Sequence, residues 1–433
     1  MPIISDLHIH SRFSRACSNA ITLPKLEQYA RIKGIDLLGT GDFTHPKWFE
    51  EIKKTLHERE GILYSQSRFP FLLTGEISLI YTHEKKGRRV HYVLLAPSIE
   101  IVRQIHEALL KKGRIDYDGR PIFGFSSPEL VDLMHSISPE IEIIPAHVWT
   151  PHFAIFGSLS GFDSMEECFG EKAKYIHALE TGMSSDPEMN WRVSYLDKYN
   201  LVSFSDSHSF WPYRLGREAT IFELEKLTYQ NILQAIRDNG LEHGFGKNRI
   251  IQTIETDPAY GKYHFDGHRS CNIVFSPEET GKHDRICPVC RKQLTLGVAY
   301  RVEQLADRPL GFVKKNAIPF KSLIPLQEII AGVYQTSVGS KTTQENYDKL
   351  IQLGGSENNI LLSLSGTELA KVVHPKLAEA IIKSRNRQVE IKPGYDGVYG
   401  KPIFENADQT KEPQKKEATS IPLKKKQKSL TEF

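Results

Sequence analysis

The chain has 433 residues, of which 39% are hydrophobic and 25% charged, the composition of a globular protein with room for two or three domains. It has no run of 18 apolar residues and no basic segment followed by an apolar one at its N-terminus, so we expect neither a membrane span nor a secretory signal. Residues 406–433 hold seven lysines and four acidic residues, which account for the net charge of +3. The remainder is formally neutral, so a surface for nucleic acid would require local segregation of charge.

The first apolar run, "IISDLHIH", ends in two histidines separated by one residue. Alternate residues of a strand point to the same face, so His8 and His10 place two imidazoles side by side. Neutral imidazole is the commonest metal ligand in proteins. The pair therefore predicts half of a metal site, unless the two are ordinary surface histidines.

Similar apolar runs recur through the first 210 residues and alternate with helix-like stretches such as 23–34 and 97–113. This alternation predicts a parallel sheet, and about seven such units favour a (β/α) barrel, regular or distorted. In such barrels the functional groups gather at the carboxyl ends of the strands. Those ends or their neighbours hold nine residues that we expect to bind metal: His8, His10, Asp42, Glu76, His91, His147, Glu180, Asp206 and His208.

A shell of His, Asp and Glu without thiolate suits Zn²⁺, Mn²⁺ or Fe²⁺ better than Ca²⁺, and Mg²⁺ is a further candidate for the site. Nine ligands exceed the needs of one ion, so we expect two or three ions that share Glu76 and Asp206 as bridging carboxylates. Closely spaced ions hydrolyse phosphate esters, because one ion turns water into hydroxide and another stabilises the leaving oxygen. The predicted catalytic residues are His8, His10, Glu76 and Asp206, and the candidate phosphate clamps are Arg15, Arg214 and Arg217.

A second ligand cluster follows the barrel-like region. His268 and Cys271 form an HxxC pair, and Cys287 and Cys290 form a CxxC pair after fifteen intervening residues. Two such pairs can close a tetrahedral Zn²⁺ site, which would be structural because all four positions are taken. Clustered cysteines indicate metal binding in a reducing compartment, so we expect an intracellular, cytoplasmic protein. The alternatives to His268 as the fourth ligand are His264 and His283.

The C-terminal part of the sequence divides into a mainly helical region and a polar tail. Basic residues cluster near the end of an amphipathic stretch at 366–388, where they form either a solvated helix face or a contact to phosphates. The Lys-rich tail predicts disorder, yet it ends in the pattern QxxLxxF. Such a segment can form one helical turn and bury its apolar residues in the groove of a partner. The predicted partner-binding residues are Gln427, Leu430 and Phe433.

The order of these motifs resembles the polymerase-and-histidinol-phosphatase (PHP) superfamily: HxH on the first strand, an acid after the second, "TGE", "AH" and "SDSH". The resemblance implies a distorted seven-stranded (β/α) barrel with a trinuclear metal site. It also implies a ligand role for eight of the nine residues above, Glu180 being the weaker match. The family often has an Asp-His pair after the second strand, whereas Asp42 is followed here by Phe43. His45 is the candidate replacement for the missing histidine.

Residues 1–400 as a whole resemble the endonuclease Q family, through "DGHRSC…CPVC", "GVAYRVEQLADRP" (297–309) and "AGVYQTSVGSKT" (331–342). The resemblance implies a DNA repair endonuclease, associated with the nucleoid, that cuts 5′ to uracil, hypoxanthine, xanthine and abasic sites with the lesion turned out of the stack. The tail resembles a PCNA-interacting box, which implies a sliding clamp as partner. The alternatives are a small-molecule phosphomonoesterase of the histidinol-phosphate phosphatase kind and a non-catalytic DNA-binding or scaffold protein.

The sequence thus predicts four regions in chain order. Residues 1–250 form the metallophosphoesterase barrel and 251–300 the zinc-binding module. Residues 301–405 form a mainly helical domain, and 406–433 form the disordered basic tail.

Overall fold

The computed structural model describes residues 2–240 and 246–404. None of the helices in these ranges is long and apolar enough to cross a membrane. The predicted clamp-binding residues of the tail, Gln427, Leu430 and Phe433, lie outside the described residues, so that part of the sequence analysis stays a prediction.

Strands and helices alternate over residues 2–240. Their bounds are β1 (Pro2–Asp6), α1 (Leu23–Lys33), β2 (Leu37–Gly39), α2 (Pro46–Thr55), β3 (His57–Arg59), β4 (Ile62–Tyr64), β5 (Pro70–Leu72), β6 (Thr74–His83), β7 (Lys86–Leu95), α3 (Ile99–Leu110), β8 (Ile122–Phe123), α4 (Ser127–Ile137), β9 (Glu142–Pro145), α5 (Met165–Phe169), β10 (Ala178–Glu180), α6 (Pro187–Trp191), β11 (Asn200–Val202), β12 (Ala219–Glu223) and α7 (Tyr229–Arg237).

Residues 246–404 contain more helix than strand. Their elements are β13 (Arg249–Glu255), β14 (Asp266–His268), β15 (Ile273–Phe275), α8 (Pro277–Lys282), α9 (Val298–Leu305), β16 (Phe320–Ser322), α10 (Leu326–Tyr334), α11 (Lys341–Gly354), α12 (Glu357–Leu362), α13 (Gly366–Leu369), α14 (Pro375–Arg385), β17 (Glu390–Lys392) and β18 (Lys401–Ile403).

The fold is mixed α/β, with its main strands divided among three sheets. An eight-stranded sheet has the order β16-β13-β12-β1-β2-β5-β4-β3, a four-stranded sheet has the order β8-β6-β7-β9, and β10 pairs with β11. The pairs β1–β2, β2–β5 and β10–β11 are parallel, as expected for strands joined through helices. The backbone pairing divides these strands among separate sheets, so a closed barrel stays a prediction.

The expectation of a parallel sheet is wrong for β6 and β7, which form an antiparallel hairpin. Only Glu84 and Lys85 separate the two strands, too few residues for a crossover helix. Both have positive φ, 48° and 66°, as the tightest hairpin turns require at their two central positions. Strand β12 also runs antiparallel to β1.

Helix α1 joins the N-terminal region to the C-terminal helices. Its first turn is capped by Thr22, whose side chain accepts a hydrogen bond from the backbone N–H of Lys25, and it ends at Gly34 in the left-handed conformation. A Cβ atom at Gly34 would lie 2.7 Å from Oγ of Ser356, just before α12, so glycine here permits both the helix end and the close approach.

A buried ion pair lies at this junction. Lys33 Nζ is 2.7 Å from Oε1 of Glu357, and the two side chains are 2% and 0% exposed. The ammonium group also donates to the backbone oxygen of Pro212 at 2.9 Å. Glu357 further accepts from the hydroxyl of Tyr347 and from the backbone N–H of Leu326. A charge removed from water in this way needs its counter-charge to be stable.

We expect Glu357→Gln to lower the free energy of unfolding by about 3–5 kcal/mol, because it leaves the Lys33 ammonium buried without a counter-charge. Denaturant or thermal unfolding measures the change. The control is Glu278→Gln, which breaks the exposed pair with Lys282 and should change stability by less than about 0.5 kcal/mol. The double variant Lys33→Met, Glu357→Gln should recover part of the loss. Equal effects of Glu357→Gln and Glu278→Gln would contradict the prediction.

Candidate metal centre

The two histidines of the first apolar run lie side by side, as their spacing predicted. They directly follow β1, where Ile9 bridges to Ser207 and the backbone N–H of His10 donates to the Ser207 carbonyl at 2.8 Å. The ring centroids of His8 and His10 are 5.5 Å apart, and both residues are buried. The chain that follows β11 thus holds these imidazoles from one side.

The carboxylate of Glu76, on β6, lies between two groups of imidazoles. Its Oε2 atom is 3.2 Å from Nε2 of His10 and 3.6 Å from Nε2 of His8. Its Oε1 atom is 2.7 Å from Nδ1 of His91 and 3.6 Å from Nε2 of His147. Glu76 therefore has the arrangement expected of a bridging carboxylate.

Asp206 completes the first of these groups. Its Oδ1 atom is 3.0 Å from Nε2 of His10 and 3.7 Å from Nε2 of His8. About a third of its side chain is exposed, so the group opens towards solvent at this residue. The ligand atoms of each group lie within 4.8 Å of one another: the first group is His8, His10, Glu76 and Asp206, and the second is Glu76, His91 and His147.

Two of the predicted ligands, Asp42 and Glu180, contact the Nδ1 atoms of the histidines and not the Nε2 atoms that face Glu76. Asp42 Oδ1 is 2.9 Å from Nδ1 of His10, and Glu180 Oε1 is 2.9 Å from Nδ1 of His8. A carboxylate can only accept, so both Nδ1 atoms carry hydrogen and both Nε2 atoms face Glu76. Glu180 also accepts from the backbone N–H of His147. Asp42 and Glu180 thus orient the histidines, and a direct ligand role for them stays a prediction.

Two further histidines lie near the centre without joining either group. The ring of His208 is 4.3 Å from that of His10, and its Nδ1 is 3.0 Å from the backbone oxygen of Asp206. His45 stacks on Phe13 at 4.2 Å, and its Nε2 is 3.3 Å from the backbone oxygen of Asp116. The structure therefore does not bring His45 to the ligand atoms, where it was the candidate replacement for a missing histidine.

Arg120 is a further residue of the site that was not predicted, and its Nη1 atom donates to Oε2 of Glu76 at 2.9 Å. This arginine lies in a loop before β8, where no apolar run ends, so strand-end reasoning gave no signal for it. Of the three predicted phosphate clamps, Arg217 lines a cavity beside the centre, whereas Arg15 and Arg214 do not. Arg15 is exposed beside Asp118, Arg214 is 3.7 Å from Glu328, and Arg217 donates to the Ser205 carbonyl.

The residues present fit divalent metal ions. His8 Nε2 and Glu76 Oε1 are buried and have no hydrogen-bond partner among the described residues. His91 Nδ1 lies close to Glu76 Oε1, but not at a hydrogen-bonding angle. Leaving such a group unpaired costs about 1–3 kcal/mol, which a bound cation would offset. Imidazole and carboxylate donors suit Zn²⁺, Mn²⁺ or Fe²⁺.

The protonation states of the ligand residues also suit a metal centre. Burial raises the pKa of Glu76, but the charges of Arg120 and the nearby imidazoles outweigh burial and hold its pKa well below the usual value. Burial lowers the pKa of His91 to about 4, so this ring is neutral at pH 7. For His8 and His10, burial lowers the pKa, yet the carboxylates around them outweigh it and raise the pKa well above the usual value. Binding a divalent ion there would therefore release protons.

Three residues of the centre have left-handed backbone conformations that favour glycine. The φ angles are 44° at Asp42, 33° at His147 and 46° at Asp206. Such conformations cost about 1–2 kcal/mol for a residue with a Cβ atom. They cluster at functional sites, where the surrounding structure holds them in place.

The second predicted ligand set also comes together. The ligand atoms of His268, Cys271, Cys287 and Cys290 lie within 4.8 Å of one another. The hairpin β14–β15 contributes His268 and the turn with Cys271. Burial raises the pKa of Cys287, but the backbone N–H groups of Cys290 and Val289 outweigh it and lower the pKa to about 6. A thiolate at neutral pH suits Zn²⁺. The alternative ligands stack on phenylalanines instead, His264 on Phe265 and His283 on Phe275.

A cavity of about 360 Å³ adjoins the two ligand groups around Glu76. Its lining includes His91, His147 and Asp206, together with Tyr263 and Tyr399. The metal centre therefore faces an open space of ligand size, bounded by aromatic side chains from the C-terminal half of the chain.

Two solved structures are similar to this chain over most of its length. The structure of the lesion-specific endonuclease PfuEndoQ from Pyrococcus furiosus matches at 31% identity and a TM-score of 0.82, over 93% of this chain and 96% of that chain. Endonuclease Q in complex with a 27-mer duplex with an abasic lesion at the active site matches at 31% identity and a TM-score of 0.82, over 94% and 97% of the two chains.

Two further matches come from sequence. The family model for the MJ0043 C-terminal domain matches residues 325–388. The protein MJ0043 of Methanocaldococcus jannaschii is 33% identical over 258 residues, which are 59% of this chain but only 31% of that relative.

Fold and site together define a metal-dependent hydrolase. The chain belongs to the endonuclease Q family, which confirms the resemblance found in the sequence.

We expect Glu76→Gln to abolish divalent metal binding at the two ligand groups around Glu76, because it removes a negative charge that both groups share. Asp42→Asn should weaken binding only about 10–100-fold, as is typical of residues that orient a ligand. Titration with Mn²⁺ and elemental analysis measure both, and Glu60→Gln, at an exposed surface pair, is the control. If Asp42→Asn is as severe as Glu76→Gln, Asp42 is itself a ligand.

Cys287→Ser should remove one zinc ion per chain and lower the melting temperature, because metal binding at such a site contributes to folding stability. The matched control is Cys17→Ser, since Cys17 is partly exposed and outside the cluster. Zinc content and thermal unfolding are measured on all three proteins. A Cys287→Ser variant with unchanged zinc content and unchanged melting would rule out the structural zinc site.

Proposed function

We propose that the protein is a DNA repair endonuclease that hydrolyses the phosphodiester bond on the 5′ side of deaminated bases and abasic sites. The observation that supports this most directly is the Glu76-centred pair of ligand groups, open at Asp206 to a cavity of ligand size. The family relationship, with one relative bound to a duplex that carries an abasic lesion at the active site, favours DNA as the substrate.

The cavity has the size and chemistry for a nucleotide turned out of the duplex. Pockets that bind small molecules typically enclose about 300–1,000 Å³, and this one encloses about 360 Å³. Lys262 and Tyr399 both line the cavity, and Lys262 Nζ lies 4.7 Å from the ring centroid of Tyr399, so the lining offers an aromatic ring beside a cation. An aromatic face suits a base or deoxyribose, and a cation suits the phosphate.

The roles of the side chains follow from their positions. His8, His10, Glu76 and Asp206 would hold one divalent ion, and Glu76, His91 and His147 another. Such ions, when bound, supply the charge that activates water and stabilises the leaving oxygen. The chain itself orients the imidazoles through Asp42 and Glu180.

Two arginines, Arg120 and Arg217, would assist the reaction. Arg120 keeps the Glu76 carboxylate ionised, and it lines the cavity together with Arg217. A guanidinium group on this wall can position the scissile phosphate, because its planar donors match two phosphate oxygens.

The deciding experiment compares end-labelled duplexes with Mg²⁺ or Mn²⁺ present. One duplex has no lesion, and the others carry a single abasic site, uracil, hypoxanthine or xanthine. We expect one nick immediately 5′ of each lesion and none in the undamaged duplex. Asp206→Asn should lower the rate more than about 100-fold, by analogy with the loss of other charge-stabilising groups, with DNA binding retained.

Asp132→Asn is the matched control, since Asp132 is an exposed acid paired with Lys172 and should leave the rate unchanged. Histidinol phosphate serves as the competing substrate. Release of phosphate from it, without nicking of any duplex, would overturn the proposed function and favour a small-molecule phosphomonoesterase.

A further inference from the structure

An exposed tryptophan lies three residues after His208. Trp211 is 40% exposed, whereas the other tryptophans of the chain, Trp48, Trp149 and Trp191, are at most 6% exposed. Tryptophan has the largest apolar surface of any side chain, and an exposed one near a functional site often contacts a partner. Neither the metal centre nor the cavity wall uses this residue.

Aromatic rings support Trp211 from within the protein. Its ring centroid is 5.0 Å from that of Phe210 and 5.3 Å from that of Tyr29, which meets it nearly edge-on at 62°. These contacts pack the indole against the protein, while its exposed part remains open to solvent. A rigid aromatic side chain loses little conformational freedom when a partner stacks on it.

The backbone around Trp211 is also fixed. Its carbonyl oxygen accepts hydrogen bonds from the N–H groups of Arg214 and Leu215, at 2.8 and 2.9 Å. The next carbonyl, that of Pro212, accepts from the buried ammonium of Lys33. The ion pair between α1 and α12 thereby holds the turn that presents the indole.

This turn lies close to the metal centre. A chain advances at most about 3.6 Å per residue, so the Cα atoms of Trp211 and His208 are no more than about 11 Å apart. The ring of His208 in turn packs 4.3 Å from that of His10, a residue of the metal centre. A DNA strand with its phosphate at the centre would have neighbouring nucleotides within reach of the indole.

The charge around the turn favours nucleic acid. Lys25 is exposed, and its Nζ lies 5.1 Å from the ring centroid of Phe210. Arg214 belongs to the same turn, with its guanidinium 5.3 Å from the ring of Tyr213. Aromatic side chains beside cations are the usual means of binding exposed bases, since the rings stack on the base and the cations contact the backbone.

We propose that Trp211 is a stacking platform for a nucleobase of the DNA strand beside the scissile phosphate. The proposal rests on the proposed function and adds a binding position outside the cavity. Stacking on Trp211 holds a neighbouring nucleotide while the lesion nucleotide occupies the cavity. The contact is independent of lesion chemistry, because every base has a π face.

The test uses full-length protein and a duplex with one abasic site, with Ca²⁺ replacing Mg²⁺ for the binding measurements. Trp211→Ala should raise the Kd and the KM about tenfold or more, the usual effect of losing one base–aromatic contact, and change kcat by less than about threefold. Trp211→Phe should restore most of the affinity. Leu353→Ala, at a comparably exposed apolar side chain on α11, is the matched control and should match the wild type.

Fluorescence gives a second readout that a purely structural role would not move. Because the other tryptophans are buried, DNA that stacks on Trp211 should quench the tryptophan emission of the wild type and not that of Trp211→Phe. Duplexes with 2-aminopurine opposite or beside the lesion locate the stacked base. Equal Kd values in the wild type and Trp211→Ala, or equal quenching in the wild type and Trp211→Phe, would overturn the platform, whereas a wild type that neither binds nor nicks lesion DNA would overturn the proposed function instead.

Discussion

Three sheets meet at one carboxylate, that of Glu76. β1 of the eight-stranded sheet leads to His8 and His10, while β6, β7 and β9 of the four-stranded sheet provide or precede Glu76, His91 and His147. The chain after β11 adds Asp206. The imidazoles and Arg120 keep Glu76 ionised despite full burial. A buried ionised group depends on the charges around it, and here those charges come from more than one part of the fold.

The C-terminal helices support the same region from outside. Glu357 neutralises Lys33, Lys33 fixes the Pro212 carbonyl, and the adjoining turn follows directly from His208. The region matched by the MJ0043 C-terminal family model, residues 325–388, includes Glu357. A helical region that contributes no atom to the two ligand groups thus helps to shape the surface beside them.

Much of the centre was predictable from sequence, because its ligands come in short local patterns. Alternation along a strand placed His8 and His10 on one side, and the HxxC and CxxC spacings found the cysteine cluster. The sequence does not reveal which ring nitrogen of a histidine a carboxylate contacts. Asp42 and Glu180 were therefore expected to bind metal in the same way as Glu76, although they contact the Nδ1 atoms of His10 and His8. The expectation of parallel strands failed at the hairpin β6–β7, where the two-residue turn decides the direction. Arg120 reaches Glu76 from a loop without periodicity, and only the tertiary fold reveals it.

The left-handed backbone at Asp42, His147 and Asp206 is maintained by the charges around it. Glycine at any of these positions would relieve about 1–2 kcal/mol of strain. At Asp42 and Asp206 it would also remove a carboxylate 2.9 or 3.0 Å from the buried His10 imidazole, and a buried charge left without its partner costs about 3–5 kcal/mol. The net effect is destabilising, so the strained conformations serve the stability of the centre as well as its chemistry.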